Sequence, residues 1–467
     1  MKTLFENSLY YGNDVYVTKE EVEECLRAIP QFAKKIEENG SGSFLADLFR
    51  AKVANMGYDM TNEAQPDISY RTGFTSIDYL MGYIAKEFNM ETGKLDSYYN
   101  LGITDGSYVA IVGNSNVGKS TFAEQVIGNI IKRFKTSVAF IDSTEAGGMT
   151  ETRRLHLAKL NKDEYRKKYI VRNSGVSAEN IYKRIKTIAD IKKDNPNQYI
   201  YDTGRKDMYG NPIMKLEPTL YLCDSIAGLL PEDMIDETEL SGKSYGAQAA
   251  NVVTQMFLGI VQIIKSANII FIGTNHLAQD IQMTMFPKAP DLPWLKQGER
   301  IPKGRKATLF ANHIMRLDQV KKLSPDEAYK IHGSIVNFSL VKSRTSGIKE
   351  PIRMVYDFVN GFDPWLSLLE YMRDKNLLYG GGASLSFDPE KTFKFSLGTF
   401  LDKFYSDEEF RRAFLINVIP YLKKIPIEVD ERARDTRLED FLDENLLYKV
   451  WFSYDEKGTN IIGILGG

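Results

Sequence analysis

The chain has 467 residues, of which 43% are hydrophobic and 26% charged, with 60 Lys and Arg against 62 Asp and Glu. That length exceeds the ~250–300 residues at which a single core stops growing, so a principal domain with appended pieces is expected, and the composition excludes a wholly disordered or fibrous chain. A net charge of −2 excludes a strongly basic whole-protein nucleic-acid binder but leaves room for a local basic strip.

In chain order, the N-terminus lacks the basic, apolar and small-residue succession of a secretory leader, and no uninterrupted apolar run reaches the ~18 residues that span a bilayer. No membrane association is expected. Cys25 and Cys223 are the only cysteines, which fits a reducing, cytoplasmic setting. Residues 1–68 read as a helical preface, with charged, Leu-containing stretches at Glu20–Ile36 and Phe44–Ala54, and Met60–Tyr70 reads as a linker. From Tyr108 the pattern changes to short β-rich runs, Tyr108–Val112, Ser137–Asp142, Leu220–Asp224 and Ile269–Thr274. Helical patterns at Lys119–Phe134 and Ser244–Ala267 lie between them, and further β runs follow at His313–Leu317, Ile335–Lys342 and Ile352–Tyr356. This alternation predicts an α/β fold, a mostly parallel sheet with helices on both faces. Two segments interrupt it. Gln198–Leu216 reads as an inserted hairpin around a Tyr-Gly-Asn turn. Ala278–Ala307, with four prolines and no period, reads as a functional or disordered insert. The Gly380–Gly382 triplet sets the boundary of a small α-rich C-terminal domain, in which Ser406 and Glu409 have capping-box spacing for a helix through Tyr421. The expected division is 1–68, 69–379 and 380–467.

Gly113-Asn114-Ser115-Asn116-Val117-Gly118-Lys119-Ser120 matches G-x-x-x-x-G-K-S, preceded by an apolar strand and followed by an amphipathic helix. Glycines let the backbone wrap a phosphate with its N–H groups inward, and the helix N-terminus adds partial positive charge. The motif therefore predicts nucleotide binding. Lys119 would reach the β- and γ-phosphates, Ser120 would ligate Mg²⁺, and Thr121 would contact the α-phosphate. Asp224, ending its apolar run, supplies the carboxylate for the Mg²⁺ site. Asp142 and Glu145 end the strand after the loop helix, and Glu145 is the expected base for the attacking water. His276, in Thr274-Asn275-His276 at the end of the next strand, is the expected γ-phosphate sensor. Lys296, Arg300, Lys303, Arg305 and Lys306 stand against Glu299 alone, a local +4 interleaved or preceded by Met283, Met285, Phe286 and Trp294. Cations for phosphates and apolar or aromatic side chains for unstacked bases are what single-strand binding requires.

The order of these segments resembles the RecA-type homologous recombinases, most closely the tailed-phage UvsX branch, over roughly residues 70–420. Cys223-Asp224-Ser225-Ile226-Ala227-Gly228-Leu229 and Phe271-Ile272-Gly273-Thr274-Asn275-His276 are similar to the family's strand ends. Leu340-Val341-Lys342-Ser343-Arg344-Thr345, followed by Gly361-Phe362-Asp363-Pro364, matches the phage branch, as does the aromatic stretch Phe393–Phe414. Glu145 departs from the family pattern by one residue, with Thr144 as the apparent insertion.

The resemblance implies a RecA-like P-loop ATPase core and a DNA-dependent, Mg²⁺-requiring ATPase in a helical homo-oligomeric filament. ATP would lie between protomers, with Lys342 and Arg344 reaching a neighbour's phosphates. It implies that Glu232–Gln248 and Ala278–Ala307 are DNA-binding loops, that single- and double-stranded DNA are partners, and that single-strand-binding and mediator proteins assist. A phage origin, and hence the host cytoplasm, is implied by the branch. The expected function is ATP-dependent homologous pairing and strand exchange. A ring-forming replicative helicase of the same core fold is the alternative, and a nucleotide-binding mediator without turnover is a third reading. The acidic segment Glu428–Glu444 reads as a solvated helix face.

Overall fold

Nine strands form one sheet whose central members are apolar along most of their length. The computed structural model describes residues 67–432 except 90–93, 145–147, 207–211, 237–244, 280–288, 304 and 382–383, together with the strands Val15–Val17, Tyr448–Tyr454 and Asn460–Leu465. The helices expected at Glu20–Ile36 and Phe44–Ala54 lie outside these residues. Val15–Val17 is an antiparallel strand against Tyr448–Tyr454.

In chain order, the main elements are α1 (Thr75–Met81), β1 (Tyr108–Gly113), α2 (Lys119–Ile131), β2 (Ala139–Ser143), α3 (Glu151–Ala158), β3 (Tyr169–Arg172) and α4 (Ala178–Asp194). They continue with β4 (Thr219–Asp224), α5 (Tyr245–Ser266), β5 (Ile269–His276), α6 (Arg305–Phe310), β6 (His313–Leu323), β7 (Gly333–Ser343), β8 (Ile352–Asp357) and β9 (Gly361–Asp363). Helices α7 (Pro364–Asp374), α8 (Phe400–Ser406) and α9 (Glu408–Arg432) follow. The strand order is β9-β8-β7-β6-β1-β5-β4-β2-β3. Strands β6, β1, β5, β4, β2 and β3 run parallel, and β7, β8 and β9 add an antiparallel flank. The expected α/β class and its mostly parallel sheet are what the chain adopts.

The period of two along each strand explains how one sheet serves two cores. Val109 and Ile111 of β1, with Leu220 and Leu222 of β4, face the core filled by Phe122, Val126, Ile127 and Ile130 of α2. Tyr108, Ala110 and Val112, with Tyr221 and Cys223, face the opposite core, filled by Ile181 and Ile185 of α4 and Val253, Phe257, Ile260 and Ile264 of α5. Among the described residues α5 is the one helix long and apolar enough to cross a membrane, over Gln248–Ser266 at a mean hydropathy of 1.2. Its buried stripe is the face that covers the sheet.

Gln198–Leu216 forms the expected hairpin, with Ile200–Lys206 antiparallel to Pro212–Leu216. Its turn lies outside the described residues. A second hairpin, Tyr83–Asn89 with Lys94–Asn100, had no counterpart in the sequence reading. The chain beyond Gly380 packs on the α2 side: Phe387, Phe395, Phe400, Phe404, Phe410 and Phe414 are buried in the same core as the sheet, and Trp365 of α7 lies 4.6 Å from Phe404. The expected cap at Ser406 is corrected. Ser406 is the last residue of α8 and its hydroxyl donates to Asp402 O, whereas Asp407 starts α9 by accepting from Phe410 N at 3.0 Å. Aspartate caps as well as serine, and it stands one residue later. Helix α9 runs past Tyr421 to Arg432, through Pro420 and Pro426. The rest of the acidic segment lies outside the described residues.

Candidate functional site

At the carboxyl end of β1 the chain turns through Gly113–Ser120 into α2. Asn114, Ser115 and Asn116 are exposed, and Val117 is buried and pins the turn to the core. Asn116 (φ 63°) and Gly118 (φ 89°) adopt left-handed backbone conformations. A Cβ at Gly118 would lie 2.8 Å from the Phe362 ring and 3.0 Å from the Tyr356 ring, so only glycine fits. No side chain caps α2 and no acid stands in its first turn. Its leading N–H groups and the positive end of its dipole thus face the turn without a carboxylate, an arrangement suited to an anion.

The Lys119 ammonium folds back over this turn. It donates to Asn114 O at 2.7 Å and Gly113 O at 3.1 Å and lies 3.3 Å from His276 Nδ1. Register explains the last contact, because His276 of β5 pairs with Gly113. Ser120 is half-buried, and the buried Thr121 hydroxyl is 3.3 Å from that of Tyr356. Asp224 ends β4, and its Oδ1 accepts from Thr274 Oγ1 at 2.5 Å. Lys119, Ser120, Asp224 and His276 therefore gather at one edge of the sheet, where its parallel strands end. Among the described residues no group of three or more His, Cys, Asp and Glu forms a metal cage. A hydroxyl at the helix start plus one carboxylate fits Mg²⁺, which keeps waters and takes phosphate oxygens for the rest of its octahedron.

Asp142 is corrected as a candidate facing the catalytic edge. It is 1% exposed; Oδ1 accepts from Arg184 and Oδ2 from the Tyr221 hydroxyl. Burial, then the Asp142 charge, pushes the Tyr221 phenol well above its ordinary range. Both carboxylate oxygens are engaged, which suits a strut between β2, β4 and α4. Glu145 lies outside the described residues. Thr144, read as an insertion, ties the ends of β2 and β4 together: its N–H donates to Asp224 O at 2.8 Å, its hydroxyl donates to Ser225 O at 2.8 Å, and Ser225 N donates to Thr144 Oγ1 at 3.0 Å. Gly228 leaves room for it, since a Cβ there would lie 2.2 Å from Thr144 Oγ1.

Lys342 and Arg344 sit at the other end of the sheet. Lys342 of β7 is paired with Ile314, which is level with Ala110, whereas Gly113 is level with Leu317 and Phe338. Four residues separate Phe338 from Lys342, roughly 13 Å along the strand at ~3.3 Å per residue. Lys342 Nζ donates to Leu309 O at 2.6 Å and Arg344 Nη2 to the same oxygen at 3.1 Å. These two cations are not brought to the Gly113–Ser120 turn of their own chain.

The described residues of the segment after His276 are paired and packed despite its lack of period. Ala278–Gln279 pairs with Glu299–Arg300, and Leu295 and Ile301 are buried. Arg316 fastens this piece to β6: it donates to both Glu299 oxygens at 2.7 and 2.8 Å, to Asp318 Oδ2 at 2.7 Å and to Trp294 O at 2.9 Å. Arg300 is exposed, Lys296 reaches Asp318 at 3.4 Å, and Lys303 donates to Leu229 O at 3.0 Å. Burial holds the Lys303 amine below its usual pKa. Arg305 and Lys306 open α6, Trp294 packs half-buried against the α5 core, and Met283, Met285 and Phe286 lie outside the described residues. Residues 237–244 of the first expected loop lie outside them too.

Sequence reasoning missed Thr274, Thr144 and Arg316. The first two carried a signal, a hydroxyl residue at the polar end of an apolar strand; the partners of Arg316 are 17 and 2 residues away, and only the fold brings the first of them to it. A comparison of the sequence with protein-family models finds no matching model, and a comparison with curated proteins finds no significant match.

Proposed function

We propose that this chain is an ATP-dependent homologous recombination protein that assembles as a filament on single-stranded DNA, pairs it with homologous duplex and exchanges strands. One observation carries the reading. The Gly113–Ser120 turn, Asp224 and His276 share one edge of the sheet, and the cation-bearing segment 278–306 leaves directly from His276.

In this reading the N–H groups of the turn and Lys119 bind the triphosphate, and Asp224 is held in one orientation by Thr274. Ser120 and Asp224 would hold Mg²⁺, which would supply neutralisation of the phosphate charge. Glu145 orients the attacking water. Lys119 lies beside His276, so a γ-phosphate drawing on Lys119 also changes what His276 touches. Asn275, which donates to Pro302 O at 3.3 Å, ties that change to the far limb of the cationic segment. Lys342 and Arg344 face the opposite edge, so they serve a phosphate only when a second copy stacks its Gly113–Ser120 turn against them. Cations supplied in trans stabilise the charge of a transferring phosphoryl group.

The test is steady-state ATP turnover by the full-length protein with and without single-stranded DNA, with electron microscopy of the same samples. The expected result is turnover stimulated by DNA, helical filaments, and complete loss of turnover in Lys119→Ala. Closed rings with polar unwinding of a forked duplex would replace the reading by a helicase, and turnover surviving in Lys119→Ala would remove the Gly113–Ser120 turn from it.

A further inference from the structure

Two cations share one backbone oxygen at the end of α6. Lys342 Nζ donates to Leu309 O at 2.6 Å and reaches Thr308 O at 3.4 Å, and Arg344 Nη2 donates to Leu309 O at 3.1 Å. Neither has a carboxylate partner among the described residues. Burial and the neighbouring guanidinium both depress the Lys342 amine from its ordinary pKa, so the pair is held together against its own repulsion. Carbonyls of the last helical turn have no intrahelical donors, and cations are favourable there. Helix α6 needs such help: it spans only Arg305–Phe310, too short to persist on its own hydrogen bonds. It also carries Arg305 and Lys306 in its first turn and leads into β6 through Asn312, which donates to Tyr108 O at 2.8 Å.

We propose that Lys342 and Arg344 form a latch whose two alternative acceptors are the terminal carbonyls of α6 and the phosphates of a bound polyanion. When an anion takes the two cations, Leu309 O loses both of its side-chain donors while Thr308 O keeps the Ala311 N–H at 3.2 Å, the end of α6 loosens, and the segment bearing Arg305 and Lys306 is reset. Under the function proposed above, on which this part rests, the anion is the triphosphate in a neighbouring copy. Nucleotide in one protomer then acts on the DNA-binding segment of the next, a route separate from the one through His276 within a protomer.

Hydrogen–deuterium exchange of the full-length protein, read on peptides covering 305–312, tests the latch. Lys119→Ala is the background, so that the Gly113–Ser120 turn contributes nothing, and inorganic tripolyphosphate is the probe, matched for ionic strength with chloride. The expected result is at least threefold faster exchange in 305–312 with tripolyphosphate and none with chloride. Adding Lys342→Gln and Arg344→Gln should raise basal exchange about tenfold and abolish the response. No response to tripolyphosphate, or an equal response when both cations are replaced, overturns the latch. Failure of the recombinase reading shows elsewhere, as absent ATP turnover in the wild type, while the tripolyphosphate result still decides the latch.

Discussion

Replacing Thr274 by Val tests whether the orientation of Asp224 matters to metal use. Thr274 is fully buried near the end of β5, where it pairs with Ile111, and its hydroxyl is bonded to Asp224 Oδ1 at 2.5 Å. Valine has the same shape and suits a strand, so the pairing with β1 and the core around it persist. What is lost is one hydrogen bond to an ionised acceptor, worth about 1.5–3 kcal/mol. Asp224 is half-buried at the strand end and can recruit water, which puts the loss near the bottom of that range. Because 1.4 kcal/mol is a factor of ten, the Mg²⁺ concentration giving half-maximal ATP turnover should rise about tenfold, with a smaller fall in kcat. Thr274→Ser keeps the hydroxyl and deletes a buried methyl, costing about 1 kcal/mol of stability with the Mg²⁺ dependence unchanged. Magnesium titrations of turnover, with urea denaturation of each variant, separate the two effects. A normal Mg²⁺ dependence in Thr274→Val, or equal shifts in the Val and Ser variants, would refute the reasoning.

Two further changes probe the fold that holds the site. Asp78, buried in α1, accepts from Thr72 N and Thr72 Oγ1 at 2.7 Å each, yet burial raises its pKa from 3.8 to about 6. The folded chain thus holds this proton more tightly than the unfolded one, so Asp78 costs nothing below about pH 4, and stability falls as pH rises to about 6 and is level above. Asp78→Asn keeps the acceptor and removes the charge, so urea denaturation should find it more stable than wild type by up to about 3 kcal/mol at pH 8 and no more stable at pH 4; a pH-independent difference would sink the argument. Gly128 lets α2 approach α3, since a Cβ there would lie 2.5 Å from Ala158 Cα. Gly128→Ala should lower stability by about 1–3 kcal/mol in the same assay, despite the better helix propensity of alanine.

How far the sequence discloses this molecule depends on whether the deciding contact is local. The strands of the central sheet were legible because each is a short apolar run ended by a polar residue, and β1, β4 and β5 lie within a residue or two of their expected bounds. The run through β7 was legible in the same way, within two residues of its observed bounds, but the length of β6 was not, since that strand extends well past its apolar part as the polar arm Asp318–Lys322. The Gly113–Ser120 turn was legible for the same local reason: its conformation is dictated by glycines, and its context by the strand and helix on either side. Asp142 was not. Its place at a strand end looks the same as that of Asp224, and only the approach of Arg184 and Tyr221, 42 and 79 residues away, turns it into a strut.

The cationic segment shows where counting charges stops being informative. Glu299 offsets the surrounding cations on paper, but it is buried and engaged by Arg316, so its charge is spent inside the fold. Lys303, counted with the surface cations, is instead bonded to the Leu229 carbonyl, which joins the second expected DNA loop to the turn that follows Asp224. Lys342 and Arg344 carry the same lesson at larger scale. Their sequence neighbourhood says that they are cations at the end of a strand; the antiparallel turn from β6 to β7 decides which end of the sheet that is. Had β7 run parallel, both would stand at the edge of the sheet that carries Lys119. Because it runs antiparallel, one chain carries a turn suited to phosphate at one edge and, at the other, two cations without carboxylate partners among the described residues, which is why the proposed function calls on a second copy to bring all of these groups to one triphosphate.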